Sequence, residues 1–197
     1  MTTELVTSAT EDESLTRRAA TIEEFWALPE SHLHIEYIDG EIIVAPTPTF
    51  SHQRAVLNIA MALRTYVEES KTAGEVCVSP LDVALPSGDV TQPDVFFLPP
   101  EAVARASAEN RVRGVPALAV EVLSPGSIRH DRQKKRRVYE KNDVREYWIV
   151  DLKARFLTQL VLVGGRYEAK ELAEDDVVRS AVLEGFETKV GELLGVG

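Results

Sequence analysis

Residues 92–98 read QPDVFFL, and residues 117–123 read ALAVEVL. Each is a short apolar run marked by proline, Pro93 at the start of the first and Pro116 and Pro125 around the second. Runs of this length, rich in Val, Leu and Phe, predict strands buried on both faces. Yet each carries one carboxylate. Asp94 opens the first strand and Glu121 lies inside the second. An ionised carboxylate in such a setting is costly unless something pairs with it, and left alone it takes up a proton. Two arrangements satisfy the pair. Either each acid faces a solvent edge or an arginine, or the two share a divalent cation that keeps both ionised. An all-oxygen ligand set selects magnesium or manganese over zinc.

Turn chemistry divides the flanking sequence into further elements. Thr21-Ile22-Glu23-Glu24 is a capping box ahead of Phe25, Trp26 and Leu28, and it starts a short helix that Pro29 ends. Residues 34–38 and 41–44 flank Asp39-Gly40, a strong two-residue hairpin signal. Val56, Ile59, Ala60, Leu63 and Val67 recur at helical spacing within 51–69. A strand from Val76 to Leu85 is broken near Pro80, and Ser87-Gly88-Asp89 is a turn. Residues 99–116 are expected to form a polar loop or broken helix, 129–142 a basic helix, and 147–150 another buried strand. Residues 156–163 and 166–172 close a hairpin around Gly164-Gly165, and a short helix covers 190–194. Strands outnumber helices, which predicts a mixed α/β (α+β) domain on one central sheet. Residues 1–20, Thr/Ser/Glu-rich without an apolar period, read as a flexible N-terminal tail before a single domain over 21–197.

The 197 residues are 44% hydrophobic and 27% charged, which is enough apolar surface for a core and excludes a wholly disordered chain. Cys77 is the one cysteine, so no intrachain disulfide forms and a reducing compartment fits. No apolar run reaches the roughly 18 residues of a membrane helix. The N-terminus also lacks the basic-then-apolar pattern of a secretory signal, so a cytoplasmic protein without a membrane partner is expected. Twenty-two Lys and Arg against 32 Asp and Glu leave a net charge of −10, which argues against a non-specific nucleic-acid coat protein. The charge is uneven, however. Residues 105–137 hold nine Lys/Arg and only three acids, Glu109, Glu121 and Asp131. Local potential decides whether a phosphate backbone can approach.

Six of those cations, Arg129, Arg132, Lys134, Lys135, Arg136 and Arg137, fall within the expected basic helix. On an α-helix Asp131, Lys135 and Tyr139 share nearly one face. Lys135 then either reaches over the end of the Glu121 strand to neutralise a phosphate, or makes an ordinary solvated contact with Asp131. His32 and His34 share a strand face but have no third ligand of matching type nearby, so a metal pair is not expected. Cys77, between Val76 and Val78, reads as a small buried residue. Ser124 lacks the glycine frame of a hydrolase nucleophile, and no helix start follows Gly164-Gly165 as in a phosphate loop.

Pro93-Asp94 followed by Glu121-Val122-Leu123 resembles the PD-(D/E)XK nuclease signature, and within that superfamily the chain is similar to the Uma family of restriction-endonuclease-like proteins. The matching stretches are IEYIDGEI (35–42), SH (51–52), QPDVFFL (92–98), AVEVLSP (119–125), DRQKKRRVYE (131–140) and VREYWIVD (144–151), with the likeness running from about Thr21 to the C-terminus. It implies a restriction-endonuclease-like fold, a central mixed sheet flanked by helices. The superfamily pattern sets a lysine two residues after the Glu, a position held here by Leu123. In the Uma family the lysine stands on the following helix, four residues before a tyrosine, which implies Lys135 before Tyr139. Lys134 is the adjacent alternative and would point about 100° away around the helix. By the same resemblance Glu36 is the first acidic site residue, binding an ion-bound water or a second ion, unless it is a solvent-facing hairpin residue. His52 would contact phosphate or an acidic side chain, or simply cap its helix. Gln92 would shape the edge of the site.

The resemblance therefore implies a metal-dependent endonuclease acting on DNA phosphodiesters, commonly as a homodimer. Asp94, Glu121 and the Val122 carbonyl would hold one Mg²⁺ or Mn²⁺ and activate a water for in-line attack. Lys135 would stabilise the charge at phosphorus, with Glu36 assisting. Two other classes are compatible with the residues. One is a catalytically inactive nucleic-acid-binding or regulatory protein on the same fold, favoured by the acidic charge and by Leu123. The other is a structural homo-oligomer in which strands at 145–163 supply an apolar contact. Substrate preference is expected to come from the loop 99–116 or from a partner, because no recognition helix or zinc module is evident.

Overall fold

The computed structural model describes residues 15–29, 33–124 and 127–195. In chain order, β1 (Thr16–Ala19), α1 (Ile22–Trp26), β2 (Ile35–Ile38) and β3 (Glu41–Val44) lead to the long α2 (Phe50–Ser70). Then come β4 (Glu75–Val78), the two-residue strands β5 (Val83–Ala84) and β6 (Val90–Thr91), and β7 (Val95–Leu98). α3 (Pro100–Glu109) and β8 (Val112–Arg113) precede β9 (Leu118–Val122). A wide π-helical turn over His130–Lys135 runs directly into α4 (Arg136–Lys141). β10 (Glu146–Asp151), β11 (Phe156–Val163), β12 (Arg166–Ala173), β13 (Val177–Arg179), β14 (Glu187–Lys189) and α5 (Val190–Leu194) complete the order.

The central sheet has strand order β12-β11-β10-β9-β7-β4. It is mixed, because β9 and β10 run parallel while β7–β9, β10–β11, β11–β12 and β4–β7 are antiparallel. Its buried strands alternate strictly. Val95, Phe97, Leu118, Val120, Val122, Trp148 and Val150 face α2 and α5 in one core. Phe96, Leu98, Ala119, Leu123, Tyr147 and Ile149 face a second core shared with Ile38, Ile43, Val138 and Tyr139. That second core joins the central sheet to α4 and to a further six-stranded sheet of order β1-β3-β2-β6-β5-β8. The strands that widen this second sheet are two residues long, too short to show a period in sequence, so only its hairpin is visible there.

Local chemistry sets the elements that carry the site. Asp39 (φ 51°) and Gly40 (φ 78°) both take positive φ, the two-residue turn whose twist matches the strands it joins. Thr49 caps α2, its Oγ1 accepting the backbone N–H of His52 at 3.3 Å. Ala55, Val56, Ile59, Leu63 and Val67 then bury one helix face against the central sheet. The capping box at Thr21 forms as its residues predict.

Four expectations change. Thr16–Ala19 is not tail but an edge strand paired with β3, needing only backbone hydrogen bonds and hence no apolar period. Residues 1–14 lie outside the described residues. Of the loop or broken helix expected over 99–116, Pro100–Glu109 is a continuous helix, with proline in its first turn and Ala102 packed inside. The basic helix begins with a π turn. Finally, of the strands at 145–163, residues 146–150 are buried and cannot supply an apolar contact to another subunit, whereas Val163 on β11 is 50% exposed. Among the described residues no helix is long and apolar enough to cross a membrane.

Candidate active site

Glu121 lies on the same face of β9 as Ala119 and Leu123, towards α4 and the second sheet. β7 pairs with β9 as Val95↔Val120 and Phe96↔Ala119. Continuing that register by one residue brings Asp94 level with Glu121, where cross-strand side chains are about 5 Å apart at Cβ. The contacts agree. Asp94 Oδ2 accepts the backbone N–H of Val122 at 2.8 Å. Two acids 58 and 85 residues beyond Glu36 thus arrive at one place through strand pairing alone. Both are buried, Asp94 at 8% exposure and Glu121 at 3%.

His52, in the first turn of α2, brings Nε2 to 3.3 Å from Asp94 Oδ2. Burial works against a proton on this ring, but the Asp94 carboxylate and the Val122 carbonyl outweigh it and raise its pKa. Thr49, rather than His52, is the helix cap. His52 therefore contacts the same Asp94 oxygen that accepts the Val122 N–H.

Lys135 comes from the π turn. Its Nζ lies 3.0 Å from Glu36 Oε1, 2.9 Å from Glu121 Oε1 and 3.7 Å from Asp131 Oδ1, with the residue only 2% exposed. Desolvation opposes its charge, but the three carboxylates more than offset this and hold its pKa well above that of a free lysine. Tyr139, one turn on, donates its hydroxyl to the same Glu121 oxygen at 2.8 Å. Lys134 points elsewhere, its Nζ 2.5 Å from Glu41 Oε2 on a partly exposed pair. The lysine four positions before the tyrosine is the inward side chain.

The solvent-facing alternative for Glu36 is excluded by its 2% exposure. Oε1 accepts from Lys135 and, at 2.7 Å, from the Gln92 backbone N–H, while Oε2 is 3.1 Å from His130 Nε2. His34 Nε2 adds a longer contact of 3.5 Å to Oε1. Burial alone would raise this carboxyl, but Lys135, His130 and His34 hold it well below the usual range. Both Glu36 oxygens are engaged, and Oε1 holds the Lys135 ammonium.

His130 and His34 were not read as site residues. His130 is five positions before Lys135, and an α-helical face does not align residues five apart. The π turn does, so both side chains meet Glu36. His34 was set aside as half of a pair with His32, which lies outside the described residues. Its actual signal was its spacing of two from Glu36 on one strand face. The ring nitrogens Nδ1 of His52 and His130 are buried without partners among the described residues.

These groups line a cavity of about 220 Å³ that includes His34, Glu36, His52, Asp94, Glu121 and Lys135. Burial raises the Glu121 carboxyl well above the usual range, and although Lys135 opposes this, the nearby Asp131, Asp94 and Glu36 push it further up. Three acids, Glu36, Glu121 and Asp131, thus surround one ammonium, with Asp94 next to Glu121, a crowding of carboxylates that a cation would relieve. Among the described residues no three His, Cys, Asp or Glu side chains form an ion cage. The donors that fit are two carboxylates and the Val122 carbonyl, the sparse all-oxygen set with which magnesium keeps several waters.

A crystal structure described as "a putative nuclease belonging to DUF820 from Anabaena variabilis ATCC 29413" superposes with a TM-score of 0.78 at 19% identity, over 89% of this chain and 98% of that one. At that identity the likeness shows the shared fold, a mixed sheet flanked by helices. No match is found among curated proteins. Residues 22–191 match the Uma2 family, described as "Putative restriction endonuclease". That span contains both sheets' site strands, α2 and the π turn, and over it the chain belongs to the Uma2 family.

Proposed function

We propose that the protein is a metal-dependent endonuclease that hydrolyses DNA phosphodiester bonds. The observation that carries this reading is Lys135 Nζ held between Glu36 and Glu121 beside Asp94, a buried ammonium set among more acids than it can neutralise. The Asp94 and Glu121 carboxylates and the Val122 carbonyl would hold Mg²⁺ or Mn²⁺. When bound, the cation supplies an activated water nucleophile and Lewis-acid stabilisation of the phosphoryl oxygens.

The chain's own groups divide the remaining work. Lys135 stays protonated, so it donates charge and hydrogen bonds and does not take a proton from water. Two of its three N–H groups serve Glu36 and Glu121, and the Asp131 contact at 3.7 Å is too long for a hydrogen bond. The third is directed to charge developing on the phosphate. Glu36 is a positioning residue, fixing Nζ through Oε1. Tyr139 and Lys135 both engage Glu121 Oε1, which leaves Oε2 as the ligating oxygen. His52 and the Val122 N–H both engage Asp94 Oδ2, which leaves Oδ1. In this reading the helix-borne Lys135 would do the work that Leu123 cannot.

Supercoiled plasmid DNA incubated with Mn²⁺ tests the reading. Wild type nicks or linearises it. Asp94→Ala, Glu121→Ala and Lys135→Ala each lower the rate at least about a hundredfold, and Lys134→Ala stays within about twofold. Loss of cleavage in Lys134→Ala with retention in Lys135→Ala overturns the assignment of the lysine.

A further inference from the structure

A second cleft, of about 630 Å³, adjoins the catalytic cavity and shares Leu33 and Pro80 with it. One side chain joins the two. Gln92 donates its backbone N–H to Glu36 in the catalytic cluster and its Nε2 to Asp82 Oδ1 in the second cleft, both at 2.7 Å. Gln92 is only 7% exposed, and its Oε1 has no hydrogen-bond partner among the described residues. Trp26, the last residue of α1, lines the same cleft and is 40% exposed. The guanidinium of Arg111 sits over its ring, 5.5 Å from the centroid, and Arg113 lines the wall as well.

A flat indole–guanidinium pair, nearby positive charge and two hydrogen-bond acceptors form a specific set. Stacking surfaces bind nucleobases of any kind, provided the base is out of the helical stack. The arginines suit the phosphate that accompanies it. Asp82 and Gln92 Oε1 accept hydrogen bonds, and so favour a base bearing an exocyclic amino group over thymine. A duplex keeps its bases stacked and offers only groove edges, which a concave cleft cannot reach. Arg111 and Arg113 belong to the segment 99–116, where substrate preference was expected.

We propose that this cleft is a binding site for an unpaired, amino-bearing base of the DNA strand that enters the catalytic cavity. The inference rests on the nuclease reading and adds to it a substrate class, DNA with a single-stranded or extruded nucleotide next to the cleaved bond. Trp26 and Arg111 stack the base, and Asp82 and Gln92 read its amino edge.

The chain contains two tryptophans, and Trp148 is fully buried, so changes in indole emission on ligand binding report Trp26. The full chain, in calcium-containing buffer, is titrated with a single-stranded oligo-dC, an oligo-dT and a blunt duplex of equal length. Oligo-dC quenches the emission and binds at least about fivefold more tightly than oligo-dT. With affinities in every protein read from the anisotropy of the same ligands carrying a terminal fluorescein, Trp26→Leu and the exposed-residue variant Arg111→Ala each weaken oligo-dC by about fivefold or more, and leave duplex affinity within about twofold. Equal quenching by the duplex, or unchanged oligo-dC affinity in both variants, overturns the site. Duplex binding without quenching by either single strand overturns it while the nuclease reading stands. Failure of all three ligands to bind overturns both.

Discussion

Glu36 shows how much a single buried carboxylate can organise. It receives an ammonium, a backbone N–H and two imidazoles, and its burial is tolerable only because all of them are present. Removing Lys135 takes away the one ammonium shared by Glu36 and Glu121, whereas removing the charge of Glu36 leaves Lys135 still held by Glu121. The held-down pKa of Glu36 has a defined consequence for stability. Its folded value lies below the unfolded 4.5, so its contribution is fully present above about pH 4.5 and is lost as pH falls through the folded value. Urea unfolding midpoints measured from pH 7 down to about pH 3 should fall on acidification in wild type, and the part of that slope below about pH 5 should be shallower in Glu36→Gln. An unchanged acid slope in the variant contradicts the pairing described.

At the scale of elements, two devices decide the architecture of the site, and they were unequally visible. Strand pairing was the visible one. Apolar runs at 95–98 and 118–122 each carry a carboxylate, and their antiparallel register makes the acids neighbours. The hairpin at Asp39-Gly40 and the helical period of α2 were equally legible, because turn chemistry and apolar spacing are local properties. The π turn was not. Its basic residues look like a surface helix, and the α-helical face finds Asp131, Lys135 and Tyr139 but misses His130. What selects the wider turn is tertiary: His130 and Lys135 both satisfy Glu36, a residue about a hundred positions upstream. β13 and β14 were missed for a related reason. The loop between them is tied down by Glu146, whose fully buried carboxylate accepts from Trp148 Nε1, Gln159 Nε2, Ser180 Oγ and the N–H groups of Ala181 and Val182. This acid lies on the face of β10 away from the catalytic cavity. Glu146→Ala should therefore cost at least about 3 kcal/mol in urea unfolding by leaving those donors unpaired, while the Mn²⁺ affinity of the folded protein remains unchanged. A loss under about 1 kcal/mol would show that the anchor is dispensable.

Over the whole molecule, the site sits where the central sheet, the second sheet and the π turn meet, so each contributes a part that none could hold alone. Glu36, Asp94, Glu121 and Asp131 line the cavity, while exposed Arg129, just before the π turn, and exposed Arg137 on α4 present local positive charge. If those arginines meet phosphates, Arg129→Ala/Arg137→Ala should weaken DNA binding and lower the log–log salt slope by about two. An unchanged slope would place the DNA on another face.

In the proposed function Asp94 and Glu121, from adjacent strands, would grip one hard cation next to Lys135. Calorimetric titration with Mn²⁺ at neutral pH, on wild type and on Asp94→Ala, measures this most directly. The prediction is one Mn²⁺ per chain in wild type and at least about tenfold weaker binding in the variant. Equal affinity in the two proteins, or no binding by wild type, would contradict it.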